Sequence, residues 1–305
     1  MTLDFFVSSL LLPDVYDSNS KQMIRSIAIC GAGTMGRGIA QVCATNGCPV
    51  ILFDVQQEIL NESKRLIEEN LQLLVSKNKM LAQSVSIILQ QIVFTAQLSE
   101  CRADLVIEAI IEKPDVKVAL FKQLMEVNSP NTIFATNTSS LSVTAIAVES
   151  GRPQMFAGMH FFNPPVLMKL VEVVSTEYTG EGVVKAISEL AIRLGKTPVT
   201  CQDAPGFIVN HVARPYYLEA LHLLEVGVAD ITGIDTLLEA TGFKMGPFRL
   251  MDLIGNDINY AVSCSLYDAL EQPARLKPSV IQKNKVEQGE LGKKTGKGYY
   301  QYTRQ

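Results

Sequence analysis

Histidine is scarce in this chain, with only His160, His211 and His222 among its 305 residues. The six cysteines, Cys30, Cys43, Cys48, Cys101, Cys201 and Cys264, form neither a CxxC pair nor a Cys/His ligand spacing. That excludes a zinc-finger type of fold, predicts no metal site, and reads as buried, reduced thiols in a cytoplasmic protein. No apolar run reaches the roughly 18 residues that span a bilayer, so no membrane segment is expected. Basic residues are outnumbered, 27 against 31 acidic, for a net charge of −4. A nucleic-acid binder would show a basic face, and this balance argues against one. Internal repeats and low-complexity tracts are absent as well.

What remains is an ordinary globular composition, 47% hydrophobic and 19% charged. The length allows two domains or one large one. The first 22 residues, MTLDFFVSSLLLPDVYDSNSKQ, carry a short apolar stretch preceded by Asp4. They lack the basic leader and small-residue cleavage site of a signal peptide. They read as a poorly ordered N-terminal extension, 1–22, because Met23 stands directly before a strand-like segment.

Residues 24–30, IRSIAIC, read as a buried strand. GAGTMG follows at 31–36, then RGIAQVCATNG with helical spacing, then PVILFD ending in Asp54. Strand, glycine turn, helix, strand and acid together make a dinucleotide-binding fingerprint. Gly31 permits the tight turn, Gly33 lets a pyrophosphate approach the backbone, and Gly36 lets helix and strand pack closely. The helix start, with Thr34 and Met35, offers free N–H groups and a positive dipole end. Asp54 is placed to accept hydrogen bonds from the adenosine ribose. Its carboxylate would repel a 2′-phosphate, so the expected cofactor is NAD and not NADP.

The alternation continues with a helix over 56–76, a strand over 103–110, a helix over 114–127 opened by Pro114, and strands near 131–136, 170–174 and 197–201. This predicts an α/β, doubly wound Rossmann-type parallel sheet over 23–202. Strand signals stop at DAPGF, 203–207, and helical periodicity takes over. An all-helical C-terminal domain over 203–305 is therefore expected.

His160 lies in GMHFFNPP and is followed by MKLVEVV, which places Glu172 inside an apolar strand. An ionised carboxylate there is costly unless it is paired and hydrogen-bonded. His160, on the preceding strand, is the nearest candidate partner. A carboxylate on one ring nitrogen fixes the tautomer and raises the basicity of the other. His160 could then take a proton from an alcohol as hydride leaves its carbon. A core His–Glu pair without chemistry is the plainer alternative from spacing alone. His211 and His222 read as helix-surface or packing residues.

Residues 23–303 resemble the 3-hydroxyacyl-CoA dehydrogenase family, in particular its short, single-function 3-hydroxybutyryl-CoA dehydrogenase members. The resemblance rests on GAGTMGRGIAQV, DLVIEAIIEKPDVK, IFATNTSSLSV, GMHFFNPPVLMKLVEVV, DAPGFIVNHV, GFKMGPFRLMDLIG and LGKKTGKGYY, in that order. It implies an NAD-dependent oxidoreductase interconverting (S)-3-hydroxyacyl-CoA and 3-oxoacyl-CoA, in fatty-acid or butyrate metabolism. It implies His160 as acid–base, Glu172 as its orienting partner, and Ser139 and Asn210 as holders of the substrate oxygens. It also implies NAD contacts at Glu112, Lys117, Asn137, Asn163 and Lys294, besides the glycine loop and Asp54. Lys77 and Asn70 take positions that contact CoA, although a serine is commoner at the latter. A homodimer through the helical domain is implied too.

Read from the residues alone, Ser139 could instead cap the next helix, Asn210 could start one, and Lys117 reads as solvated helix surface. Three further readings are weighed. One is a detached piece of a multifunctional β-oxidation protein, expected to act alone or with separate partners because 305 residues leave no room for a hydratase domain. Related two-domain hydroxyacid dehydrogenases use a lysine base, which a His–Glu pair argues against. A catalytically idle NAD-binding or structural protein of the same fold would need neither His160 nor Glu172.

Overall fold

The structure, a computed structural model, describes residues 23–303. The expected N-terminal extension lies outside the described residues. The chain opens with β1 (Ile27–Cys30), α1 (Thr34–Thr45), β2 (Val50–Phe53), α2 (Gln57–Ser76), α3 (Ala82–Gln90) and β3 (Ile92–Thr95). There follow β4 (Leu105–Glu108), α4 (Pro114–Val127), β5 (Ile133–Thr136), α5 (Val143–Ser150) and β6 (Phe156–Phe161). The sheet is completed by β7 (Leu170–Ser175), α6 (Glu181–Arg193) and β8 (Thr197–Gln202). Its strand order is β3-β2-β1-β4-β5-β6-β7-β8.

The inner strands β1, β4 and β5 are buried at every position, as expected of parallel strands covered on both faces. One apolar cluster includes Ile27, Ile29, Leu52 and Ile107 with α1 and α2. A second, around Phe121, Phe134 and Phe156, fills the other face against α4 and α5. Helix α2 buries Leu60, Ser63, Ile67 and Leu71, one stripe at helical spacing. Helix α4 begins at Pro114, whose missing N–H costs nothing at a helix start.

The sheet is not wholly parallel, which corrects the expectation. β7 runs antiparallel to β6 and pairs His160 with Glu172. β3 and α3 were not distinguished in the sequence. The strand foreseen from residue 24 begins at Ile27.

After β8 come α7 (Val209–Glu225), α8 (Ile231–Ala240), α9 (Pro247–Ile254), α10 (Asn256–Ala269) and α11 (Val280–Glu287). Among the described residues, no named strand follows β8. Tyr217, Leu221, Ile234, Phe248 and Met251 form the core of this helical part. Among the described residues, no helix is long and apolar enough to cross a membrane.

Candidate active site

The glycine turn fits a dinucleotide. Gly31 has φ +104°, and a Cβ there would sit 2.6 Å from the Ala109 carbonyl oxygen. A Cβ on Gly36 would fall 1.7 Å from the Gly31 carbonyl oxygen, so helix and turn meet backbone to backbone. At Gly33 a Cβ would meet nothing within 4 Å. The space above it is open, as an approaching pyrophosphate requires. Gly33 caps α1 without a side-chain acceptor, and the first turn carries no acid. Its N–H groups and dipole therefore suit an anion. Asp54, at the end of β2, accepts from the Ala32 N–H at 2.9 Å and the Gln56 N–H at 3.0 Å. That holds its carboxylate beside the turn, where a ribose would lie.

His160 and Glu172 face each other across the β6–β7 ladder, where opposed side chains are close neighbours. His160 Nδ1–H donates to Glu172 Oε2 at 2.7 Å. His160 is 6% exposed and Glu172 1%. Glu172 Oε1 accepts from the backbone N–H groups of Ile208 at 3.0 Å and Val209 at 2.9 Å. Burial pushes the Glu172 carboxyl up, but the bonds from His160, Val209 and Ile208 outweigh it and hold it below the ordinary value. Glu172 is thus kept ionised, and His160 is fixed with its proton on Nδ1. His160 Nε2 makes no hydrogen bond among the described residues. Phe162 and Phe207 pack on the imidazole, with ring centroids 4.5 and 5.8 Å away.

The carboxylate that orients His160 also caps α7, which sets the place of Asn210 in its first turn. Asn210 Nδ2 donates to the Ser139 carbonyl at 3.2 Å, bringing these two residues together. Ser142, not Ser139, caps α5 by accepting from the Ala145 N–H. Asn137 Oδ1 accepts from the Phe161 N–H at 2.8 Å and ties the ends of β5 and β6.

Lys117 is not the solvated residue that its helix position indicates. It is 1% exposed and lies 2.6 Å from Glu108 Oε1 and 3.0 Å from Glu112 Oε2. Burial raises the Glu108 carboxyl against the pull of Lys117, Thr136 and the Ile110 N–H. Burial also acts upward on Glu112, but Lys117, Thr138 and the Ser139 N–H bring it below the ordinary value. Glu112 accepts from Ser139 N at 2.9 Å, so this charge cluster adjoins the Ser139–Asn210 contact.

The remaining candidates lie at the edges. Lys294 pairs with Asp257 at 2.6 Å. Asn163 and Asn70 line one cleft with Thr34, Gln41 and Arg37. Asn70 Nδ2 reaches Gln41 Oε1 at 3.4 Å. Lys77 is exposed at the end of α2. His222 is exposed, and His211 Nδ1–H donates to the Pro205 carbonyl at 3.1 Å.

Residues 26–204 match the family model described as 3-hydroxyacyl-CoA dehydrogenase, NAD binding domain. Residues 206–302 match the one described as 3-hydroxyacyl-CoA dehydrogenase, C-terminal domain. This chain belongs to the 3-hydroxyacyl-CoA dehydrogenase family. Residues 26–204 form its NAD-binding domain.

A 3-hydroxyadipyl-CoA dehydrogenase of Escherichia coli K12 is 47% identical over 92% of this chain, and the match covers 59% of that protein. The chain therefore spans little more than half of that relative. The mitochondrial hydroxyacyl-coenzyme A dehydrogenase of Sus scrofa is 40% identical, with 93% of each chain covered. Among solved structures, the (S)-3-hydroxybutyryl-CoA dehydrogenase of Ralstonia eutropha is similar, at 36% identity. It has a TM-score of 0.88, with 92% of this chain and 100% of that one covered.

Three residues near this candidate site were given no role from the sequence, although Glu108 heads a polar cluster, 108–112, at a strand end. Glu108 closes an apolar strand, as Glu172 interrupts one, and the same cost argument applied to it would have found Lys117. Arg37 and Phe207 carried no such signal.

Proposed function

We propose that this chain is an NAD-dependent oxidoreductase that interconverts (S)-3-hydroxyacyl-CoA and 3-oxoacyl-CoA. Short acyl chains such as 3-hydroxybutyryl are the expected substrates. The observation that carries the reading is the His160–Glu172 pair, whose carboxylate also caps the helix that bears Asn210. The cofactor supplies a hydride acceptor at the nicotinamide when it is bound.

His160 Nε2 takes the proton of the C3 hydroxyl as the C3 hydride departs, and returns it in the reverse direction. Glu172 holds the imidazole in the required tautomer and balances the imidazolium charge that develops. Ser139 and Asn210 orient the C3 oxygen by donating to it, which favours the polarised ketone. Lys117, with Glu108 and Glu112, holds the turn before α4 against the cofactor side of the cleft. Glu112, Lys117, Asn137, Asn163 and Lys294 contact NAD in this reading, with Gly31, Gly33, Thr34, Met35, Gly36 and Asp54. Asn70 and Lys77 face the CoA moiety, and Arg37 lies beside Asn70 in the same cleft.

The chain divides into an NAD domain over 23–202 and a helical domain over 203–305. The helical domain is the homodimer contact in this reading. Val212, Val226, Val228, Leu237, Phe243 and Ile258 are exposed on this domain and are the candidate contact residues. All six thiols are free; Cys30, Cys43, Cys48 and Cys101 are buried as expected, while Cys201 and Cys264 are only half-buried, and unpaired thiols fit the cytoplasm.

Turnover of acetoacetyl-CoA with NADH and with NADPH tests the reading. Turnover with NADH, and a preference over NADPH that falls by about 10- to 100-fold in Asp54→Ser, is the expected result. No turnover by protein that binds NADH would contradict it.

A further inference from the structure

Arg214 is a buried cation that the proposed reaction does not use. It stands on α7 one turn after Asn210 and is 2% exposed. Its Nε–H donates to the Asn210 carbonyl at 3.1 Å. Its Nη1 donates to the Asn259 carbonyl at 3.0 Å and to Ser263 Oγ at 2.9 Å, and lies 3.4 Å from Asn259 Oδ1. Its Nη2 makes no hydrogen bond among the described residues, and no carboxylate among them pairs with it. The Tyr217 ring, 4.9 Å from the guanidinium carbon, offers partial compensation. Burial pushes the guanidinium down to about 10. Beside it, Asn259 Nδ2 is buried and has no acceptor.

Two donors, one of them charged, therefore lie side by side without a full set of partners, and the one unpaired acceptor of this network among the described residues, Gln282 Oε1, is an uncharged amide oxygen. Such a group is costly to keep unless something completes it. A carboxylate matches both the charge and the fork of a guanidinium.

The position relates this place to the reaction. The Arg214 side chain leans back along α7, as helix side chains do, and rests on the carbonyl of Asn210. Residues four apart are separated by about 6 Å along a helix. The C3 atom of a six-carbon diacid chain lies three bonds from its terminal carboxylate carbon. That length is comparable to the one helical turn, which suits a chain whose C3 oxygen is held at Asn210 and whose far end lies toward Arg214.

We propose that Arg214 and Asn259 receive the terminal carboxylate of the acyl chain, so that short dicarboxylic 3-hydroxyacyl-CoA thioesters form a substrate class of this site. The inference rests on the proposed dehydrogenase function and makes Arg214 a specificity-determining residue within it.

The test compares kcat/KM for 3-hydroxyadipyl-CoA and 3-hydroxyhexanoyl-CoA, which differ only in carboxylate against methyl at the chain end. The wild type is expected to favour the diacid by about tenfold or more, and Arg214→Met to cut that ratio by about tenfold or more. Arg214→Lys keeps part of it. A wild-type ratio near one overturns the inference. So does an unchanged ratio in Arg214→Met, even when both rates fall, because that marks a helix-packing role. If Arg214→Met does not fold, Asn259→Ala takes its place, with a reduced ratio expected and an unchanged ratio contradicting. Turnover of 3-hydroxybutyryl-CoA with a ratio near one would overturn this inference alone. Turnover of none of the three thioesters would overturn the dehydrogenase reading beneath it.

Discussion

Glu172 holds His160 with one carboxylate oxygen and caps α7 at Val209 with the other. A single buried carboxylate thus fixes the ring and the helix that carries Asn210. It joins the antiparallel β6–β7 pair of the sheet to the first turn of the helical part.

Glu172→Gln should therefore impair chemistry more than cofactor binding. A neutral amide no longer enforces the Nδ1–H tautomer, and kcat should fall about 10²- to 10⁴-fold. NADH affinity, measured by fluorescence titration, should change little. A variant that loses both together would show that Glu172 mainly shapes the cofactor cleft.

The same carboxylate makes a stability contribution with a definite sign. Its folded-state value lies below the ordinary carboxylate value, so the unfolded chain binds its proton more readily. The contribution is fully present above the unfolded value of about 4.3 and is lost as pH falls through the folded one. Urea unfolding of wild type and Glu172→Gln, followed from neutral pH downward, should show a stability gap that narrows across that window. A gap independent of pH would contradict the assignment.

Two glycines of the turn should respond differently to alanine. Gly36→Ala forces its Cβ onto the Gly31 carbonyl, and backbone strain of about 2–3 kcal/mol is expected, with loss of NADH binding. At Gly33 the backbone is extended, with φ −66°, and a Cβ meets open space. Gly33→Ala should melt near the wild-type temperature and still lose NADH affinity. Equal destabilisation of the two variants would refute this division of roles.

Lys117→Met leaves Glu108 buried without its counter-charge, and about 3–5 kcal/mol of stability should be lost. Adding Glu108→Gln should restore part of it. Denaturant unfolding of both variants checks this, and a single variant as stable as the wild type would show that water replaces the lysine.

The fingerprint at 31–36 was legible because each glycine answers to one steric demand, and the order of strand, glycine turn, helix, strand and acid is local. The His160–Glu172 contact was legible because a charge inside an apolar strand needs a partner nearby. The burial of Lys117 was not, since it depends on where the end of β4 falls against α4. The antiparallel course of β7 escaped notice, although its clue was present. The connection from Phe162 to Lys169 is shorter than the dozen or so residues that a parallel crossover requires. β3 was hidden because Ile92–Thr95 continues the apolar run of α3 with little punctuation. Arg214 lies in an amphipathic helix, where an arginine reads as surface until α10 is seen to cover it.

The central claim is that His160 carries the proton. Steady-state oxidation of NADH by acetoacetyl-CoA should fall about 10²- to 10⁴-fold in His160→Gln, while the variant binds NADH as the wild type does. A variant that retains most of its turnover would contradict the account, because the imidazole would then be only a partner for Glu172.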